Sequence, residues 1–257
     1  MGEGVVIRER IGAVERLWLN RPEVENALND ATYEAITRAL REVALDPKVG
    51  AVVITGKGDA FSRSADGDEI GAKYFTSREA YRGFLYRVRD FHSEIQSCPK
   101  PVIAAVNGVA SMGGIELALA CDFIVASTAA KLGDCHPGGV GGGGASQTLR
   151  ELVGARMTRW LLYTGELLDA QRAFEVGLVQ QVFPAAGFQA SAIELANRIV
   201  ERRIGDSLAR VKALTVSRDP TPADRELEIG HSIEHYFDSR IQTGLDEALE
   251  SDRKQTG

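Results

Sequence analysis

Two segments of small residues stand out as places where the main chain itself could do chemistry. Ala60-Phe61-Ser62-Arg63-Ser64-Ala65-Asp66 follows an apolar, β-branched run and its turn. Asn107-Gly108-Val109-Ala110-Ser111-Met112-Gly113-Gly114-Ile115-Glu116-Leu117-Ala118 leads from another apolar run into a helical pattern. Small side chains let a ligand approach the backbone closely. The first N–H groups of a helix lack intrahelical acceptors, and the positive end of the helix dipole stands behind them. One N–H from each segment would make an oxyanion hole, able to stabilise a thioester enolate with little reorganisation. A glycine-rich turn packed only for topology would carry the same letters.

Two side chains could move protons beside such a hole. Glu116 stands two residues past Gly114, in the first helical turn. The dipole favours any carboxylate there, so it could equally be a plain helix-start charge. Its neighbours Ile115, Leu117, Ala118, Leu119 and Ala120 are apolar. A carboxyl in an apolar wall keeps its proton more readily and suits general acid/base work. His136, in Asp134-Cys135-His136-Pro137, falls on a loop or strand end. Imidazole can pass a proton either way near neutrality, whereas a surface loop histidine is the bland alternative. His231 and His235 are spaced i, i+4, but no Glu follows His231 and no third ligand is evident, so a HExxH zinc site is absent. A solvated or interface face is expected for that pair, and His92 reads as structural. No metal site is expected.

Several other chemistries lack their signature. Gly144-Ala145-Ser146-Gln147-Thr148 ends in Thr where a nucleophile elbow requires Gly. There is no GxxxxGK[ST] phosphate loop. The glycines between 138 and 144 lack the preceding strand and distant acid of a dinucleotide fold. Cys98, Cys121 and Cys135 are odd in number and widely spaced, which fits neither a zinc pattern nor a disulfide framework.

The elements that must position these residues alternate. Val5-Val6-Ile7 and Ala13 to Leu19 read as short strands separated by Gly12, with Pro22 ending the second. Ile36, Leu40 and Val43 put one stripe on a helix over 30–45, capped by Asn29 or Asp30. Strands buried on both faces are expected at 49–55 and 101–106, and a further strand at 123–126. Helices are expected at 77–96, 115–121, 147–153, 156–164 and 170–176, with a short strand at 178–183. Beyond Ala190 the pattern is helical. Thr221, Pro222 and Asp224 read as a helix start, and Leu227, Ile233 and Phe237 as its apolar face. This alternation predicts an α/β core of ββα-like units. The helical C-terminal third suggests a module for subunit contact.

Composition agrees with an ordinary globular chain. Of 257 residues, 44% are apolar and 26% charged, enough apolar surface to offset chain entropy and exclude disorder. A net charge of −6 disfavours nonspecific nucleic-acid binding. No apolar run is long enough to span a membrane, and the N-terminus lacks the layout of a secretory signal. The expected compartment is the cytoplasm.

Taken together, five stretches make the sequence resemble the crotonase superfamily, the enoyl-CoA hydratase/isomerase group. They are LNRPEVENALN (19–29), AVVITGKGDAFSRSAD (51–66), KPVIAAVNGVASMGGIELALACD (100–122), KLGDCHPGGVGGGGASQTL (131–149) and LLYTGELLDAQRAFEVGLVQQVF (161–183). The resemblance implies a spiral of ββα units over 1–195 and a helical trimerisation region over 196–257. It implies homotrimers or hexamers, and an acyl-CoA thioester as substrate, with coenzyme A entering as part of that substrate and no separate cofactor. The thioester carbonyl would be held by the N–H groups of Ala65 and Gly113. Ser62, Arg63, Ser64, Asp66, Ile70 and Gly114 would line the substrate, and the Ala65 loop would help seat the adenine end. Glu116 matches the first catalytic glutamate of the hydratases.

Three departures matter. Where hydratases carry a second glutamate, Leu132-Gly133-Asp134-Cys135-His136 places His136. The loop that follows is shorter than usual. Arg63 and Ser64 replace two small residues, and Glu25 stands where a basic residue is frequent beside the nucleotide. A Glu–His pair could isomerise a double bond, add water, or activate water to cleave a β-dicarbonyl carbon–carbon bond. These reactions share the enolate, and the fold does not choose among them. Hydration of an enoyl-CoA is the leading expectation. Carbon–carbon hydrolysis of a β-diketone, with or without CoA, and a non-catalytic trimeric scaffold are the alternatives.

Overall fold

The computed structural model describes residues 4–202 and 207–215, together with Glu226, Ile229, Gly230, Ser232, Ile233 and Phe237. It opens with a hairpin in which β1 (Val6–Ile11) pairs antiparallel with β2 (Val14–Leu19) across a turn at Gly12, φ +58°. The first strand therefore extends to Ile11 rather than stopping at Ile7. Its charges do not end it because they pair across the hairpin: Arg8 and Arg10 each bond Glu15 at 2.7 Å.

Helix α1 (Asp30–Leu45) has the expected bounds, with Ile36, Leu40 and Val43 buried. Asn29 caps it, its side chain accepting the Thr32 N–H at 2.9 Å. The chain then passes through β3 (Ala51–Gly56), β4 (Ala60–Ser62), α2 (Gly67–Tyr74), α3 (Arg78–Ser97), β5 (Val102–Val106), β6 (Val109–Ser111) and α4 (Gly113–Ala120). After these come β7 (Phe123–Ser127), β8 (Lys131–Gly133), α5 (Ala145–Thr164), β9 (Leu168–Asp169), α6 (Ala170–Glu175), β10 (Gln181–Phe183), α7 (Phe188–Glu201) and α8 (Ser207–Thr215). Gly154, at φ +77°, kinks α5 and separates the two helices expected there.

Two sheets result. A six-stranded sheet has the order β1-β2-β3-β5-β7-β10, and a four-stranded sheet the order β4-β6-β8-β9. The core strands β3, β5 and β7 run parallel, and so do β4, β6 and β8. Each core strand is followed by its small partner and then by helix, so the ββα repetition is real and purely geometric. The four-stranded sheet and α2 are absent from the sequence reading. Strands of two or three residues are too short to show a period.

Alternate residues of β3 serve two apolar layers. Val52 and Ile54 face the layer that includes α1, α3 and α4, whereas Ala51 and Val53 face α7 through Ala192, Ile193 and Ala196. The division expected at 195/196 thus falls inside a helix packed on the main sheet. Thr221, Pro222, Asp224, Leu227, His231 and His235 lie outside the described residues. No helix among the described residues is long and apolar enough to cross a membrane.

Candidate active site

The sharp turn from β6 into α4 places one arm of the site. Met112 adopts φ +46°, a strained conformation for a side-chain-bearing residue, and the helix starts at the next residue. Gly113 is the first helical residue, and its N–H has no acceptor among the described residues. The other arm is Ala65, which forms a parallel bridge to Leu28. Leu28 donates to Ser64 O and accepts from Asp66 N–H, both at 2.8 Å. Alternation along extended backbone therefore turns the Ala65 N–H away from Leu28. That N–H too lacks an acceptor among the described residues. A Cβ on Gly113 would stand 2.9 Å from Ala65 N, so the two unengaged amides are neighbours. Sequence reasoning paired them by motif, and the fold brings them together.

Gly114 explains how the arms come so close. A Cβ there would lie 1.7 Å from Ser62 O, so only glycine lets α4 dock on β4. Ser111 Oγ adds a bond to Arg63 O at 2.7 Å.

Glu116 lies one helical turn after Gly113, on the same side of α4. Every residue of α4 is buried, Glu116 included. Its Oε1 accepts the Gly143 N–H at 2.8 Å. Gly143 O in turn meets His92 Nδ1 of α3 at 3.0 Å. A carbonyl can only accept, so His92 carries its proton on Nδ1. Burial pushes His92 down to about 4, against the weaker opposing effect of that bond. The imidazole is therefore neutral near pH 7 and pins the glycine loop, a structural role as the sequence suggested. Burial also pushes the Tyr33 hydroxyl up, and the nearby Glu116 carboxylate pushes it the same way.

His136 lies on the loop after β8, just before a short 3-10 turn at Pro137–Gly139. Its Nδ1 is 2.5 Å from Asp134 Oδ1. One candidate ligand atom each from Glu116, Asp134 and His136 lies within 4.8 Å of the others. A Cβ on Gly141 would sit 2.7 Å from His136 Nδ1 and 2.9 Å from Glu116 Oε1. The glycine run is thus a close cover over both acid/base groups, a role not assigned to it from the letters. Asp134 was missed as well, although its place two residues before a candidate histidine was a usable signal.

The other expected substrate contacts divide. Arg63 pairs with Glu25, Nε to Oε2 at 2.5 Å, and its backbone N–H donates to Glu25 O at 3.1 Å. Asp66 caps α2 and bonds Arg21 at 2.7 Å. Ser64 Oγ donates to Ala65 O at 2.7 Å. Ser62 and Ile70 are fully buried in the core beneath this segment. A cavity of about 720 Å³ reaches Glu116, His92 and Gly143 and extends past Leu119 toward α8. Ala65, Gly113 and His136 do not line it, so it lies beyond Glu116 rather than over the paired amides.

Comparison with known proteins agrees with this architecture. The enoyl-CoA hydratase/isomerase family profile matches residues 9–255. The chain belongs to this family. A crotonyl-CoA hydratase of Syntrophomonas wolfei is 37% identical over 227 residues, covering 87% of this chain and 86% of that one. Among solved structures, an enoyl-CoA hydratase from Bacillus anthracis aligns with TM-score 0.77 at 28% identity, over 97% of this chain and 96% of that one. An enoyl-CoA hydratase/isomerase from Mycobacterium paratuberculosis aligns with TM-score 0.82 at 26% identity, over 95% and 97%. The α/β architecture of this family member is the crotonase fold of those neighbours.

Proposed function

We propose that the protein binds an enoyl-CoA thioester and adds water across its double bond. The observation that carries this reading is the adjacency of the Ala65 and Gly113 amides, one helical turn from Glu116. An oxygen seated between those amides receives the charge that develops as water attacks Cβ. The fixed N–H dipoles favour the enolate over the neutral thioester, which is the differential binding that lowers a barrier. Glu116 and His136 divide the proton transfers, one at the water and one at Cα. The chemistry of the relative from Syntrophomonas wolfei, named for crotonyl-CoA, supports a short enoyl chain as the first substrate to try.

The test is loss of the conjugated thioester absorbance when crotonyl-CoA is mixed with the protein. Glu116→Gln keeps the shape and removes the acid/base, and is expected to cut turnover by about 10²- to 10⁴-fold. Unchanged turnover in that variant contradicts the assignment of Glu116.

A second reading has one observation in its favour. Glu25 engages the Arg63 guanidinium at the segment expected to seat the nucleotide. That arrangement suits a β-diketone hydrolase that works without CoA. Tight binding of CoA itself, measured by calorimetry, would count against this version.

A further inference from the structure

Asp134 is a carboxylate buried to 1% exposure at the edge of the site. No Lys or Arg pairs with it among the described residues, and the side chain it meets there is that of His136. The same oxygen, Oδ1, accepts the His136 backbone N–H at 3.2 Å and meets the ring Nδ1 at 2.5 Å. One atom thus fixes both the loop and the ring. A carboxylate acceptor requires the ring proton on Nδ1, which makes Nε2 the nitrogen that exchanges protons. Taking a carboxylate out of water is costly unless it is compensated, and a cation that forms beside it provides that compensation.

We infer that Asp134 is a positioning residue that orients His136 as a base and stabilises the imidazolium formed during water addition. The inference rests on the hydratase reading above. In the step, His136 Nε2 takes a proton from water as the water oxygen bonds to Cβ. The π electrons move to the thioester oxygen held by Ala65 and Gly113. As the enolate collapses, the Glu116 carboxyl gives its proton to Cα. The imidazolium then returns a proton to the Glu116 carboxylate, and both groups are restored. Glu116, Asp134 and His136 each place one side-chain atom within 4.8 Å of the others, a span that a single water bridges to carry that proton back.

Two measurements test this. The first is ¹⁵N NMR of ring-labelled histidine in the protein without substrate. A His136 ring protonated on Nδ1, with a strongly downfield proton that disappears in Asp134→Asn, is expected. A wild-type ring protonated on Nε2 overturns the inference, and this needs no variant to fold. The second is a cycle of Asp134→Asn, His136→Ala and the double variant with crotonyl-CoA. Asp134→Asn should lower kcat by about 10- to 100-fold with KM little changed, as expected for a group that acts on a base. The double variant should be no slower than His136→Ala, because Asp134 acts through His136. Losses that multiply in the double variant overturn the inference, since they mean that Asp134 acts independently. If the wild type turns over no acyl-CoA, the hydratase reading falls while the NMR result still decides the Asp134–His136 arrangement.

Discussion

A peptide group, not only side chains, fixes the acid/base. Gly143 gives its N–H to Glu116 and its carbonyl to His92, so its absent side chain is as important as its backbone. A Cβ at this position would lie 2.3 Å from Glu116 Oε2. In Gly143→Ala the carboxylate or the loop must shift. The expected result is a loss of kcat of about 10-fold or more with the far-UV circular dichroism unchanged, since misplacing a catalytic group is costly out of proportion to the displacement. Full activity in this variant would mean that Glu116 is not held by the glycine loop. His92 adds a pH dependence. Its folded value near 4 lies below its ordinary 6.5, so the unfolded chain binds the proton more readily. Stability is therefore whole above about pH 6.5 and declines as pH falls toward 4, by about 3 kcal/mol across the full span. Denaturant titrations between pH 4 and 7 should show this decline flattened in His92→Gln, which can still donate to Gly143 but does not titrate. Parallel wild-type and variant curves would contradict the buried neutral imidazole.

At the scale of elements, long ones were legible and short ones were not. Helix α1 is marked by a cap and an apolar stripe, β3 by a nearly continuous β-branched run, and β5 by a short apolar run of Val, Ile and Ala. The strands β4, β6, β8 and β9 carry no such signal, because each is stabilised by neighbours distant in sequence. The site sits where those short strands meet α4. Its two main-chain arms were reached through motifs and its carboxylate through the helix start. The contact between Asp134 and His136 and the glycine cover depend on loop geometry that no periodicity encodes. The turn into α4 yields its own prediction. Proline fits a first helical position, so Gly113→Pro removes one N–H from the site, and its Cβ, 2.9 Å from Ala65 N, also presses on the other arm. Enoyl-CoA turnover should be lost. Turnover equal to wild type would show that the Gly113 amide is not used.

For the molecule as a whole, the alternation of strand and helix fixed the class, and only coordinates revealed two sheets in parallel progression. The same progression delivers the site. Each passage from the large sheet to the small one brings a strand end and a turn to one place, and two of these turns supply Ala65 and Gly113. Chain entry into α7 continues the core past the expected boundary, because Ala192 and Ala196 are small enough for close packing on β3. The central claim is that two amides from separate turns receive one oxygen. A crystal structure of the protein with a 3-hydroxyacyl-CoA tests it most directly. The account predicts the thioester oxygen at about 2.7–3.1 Å from the nitrogens of both Ala65 and Gly113, with the β-hydroxyl beside Glu116 and His136. A thioester bound elsewhere, with those two amides left unengaged, would contradict it.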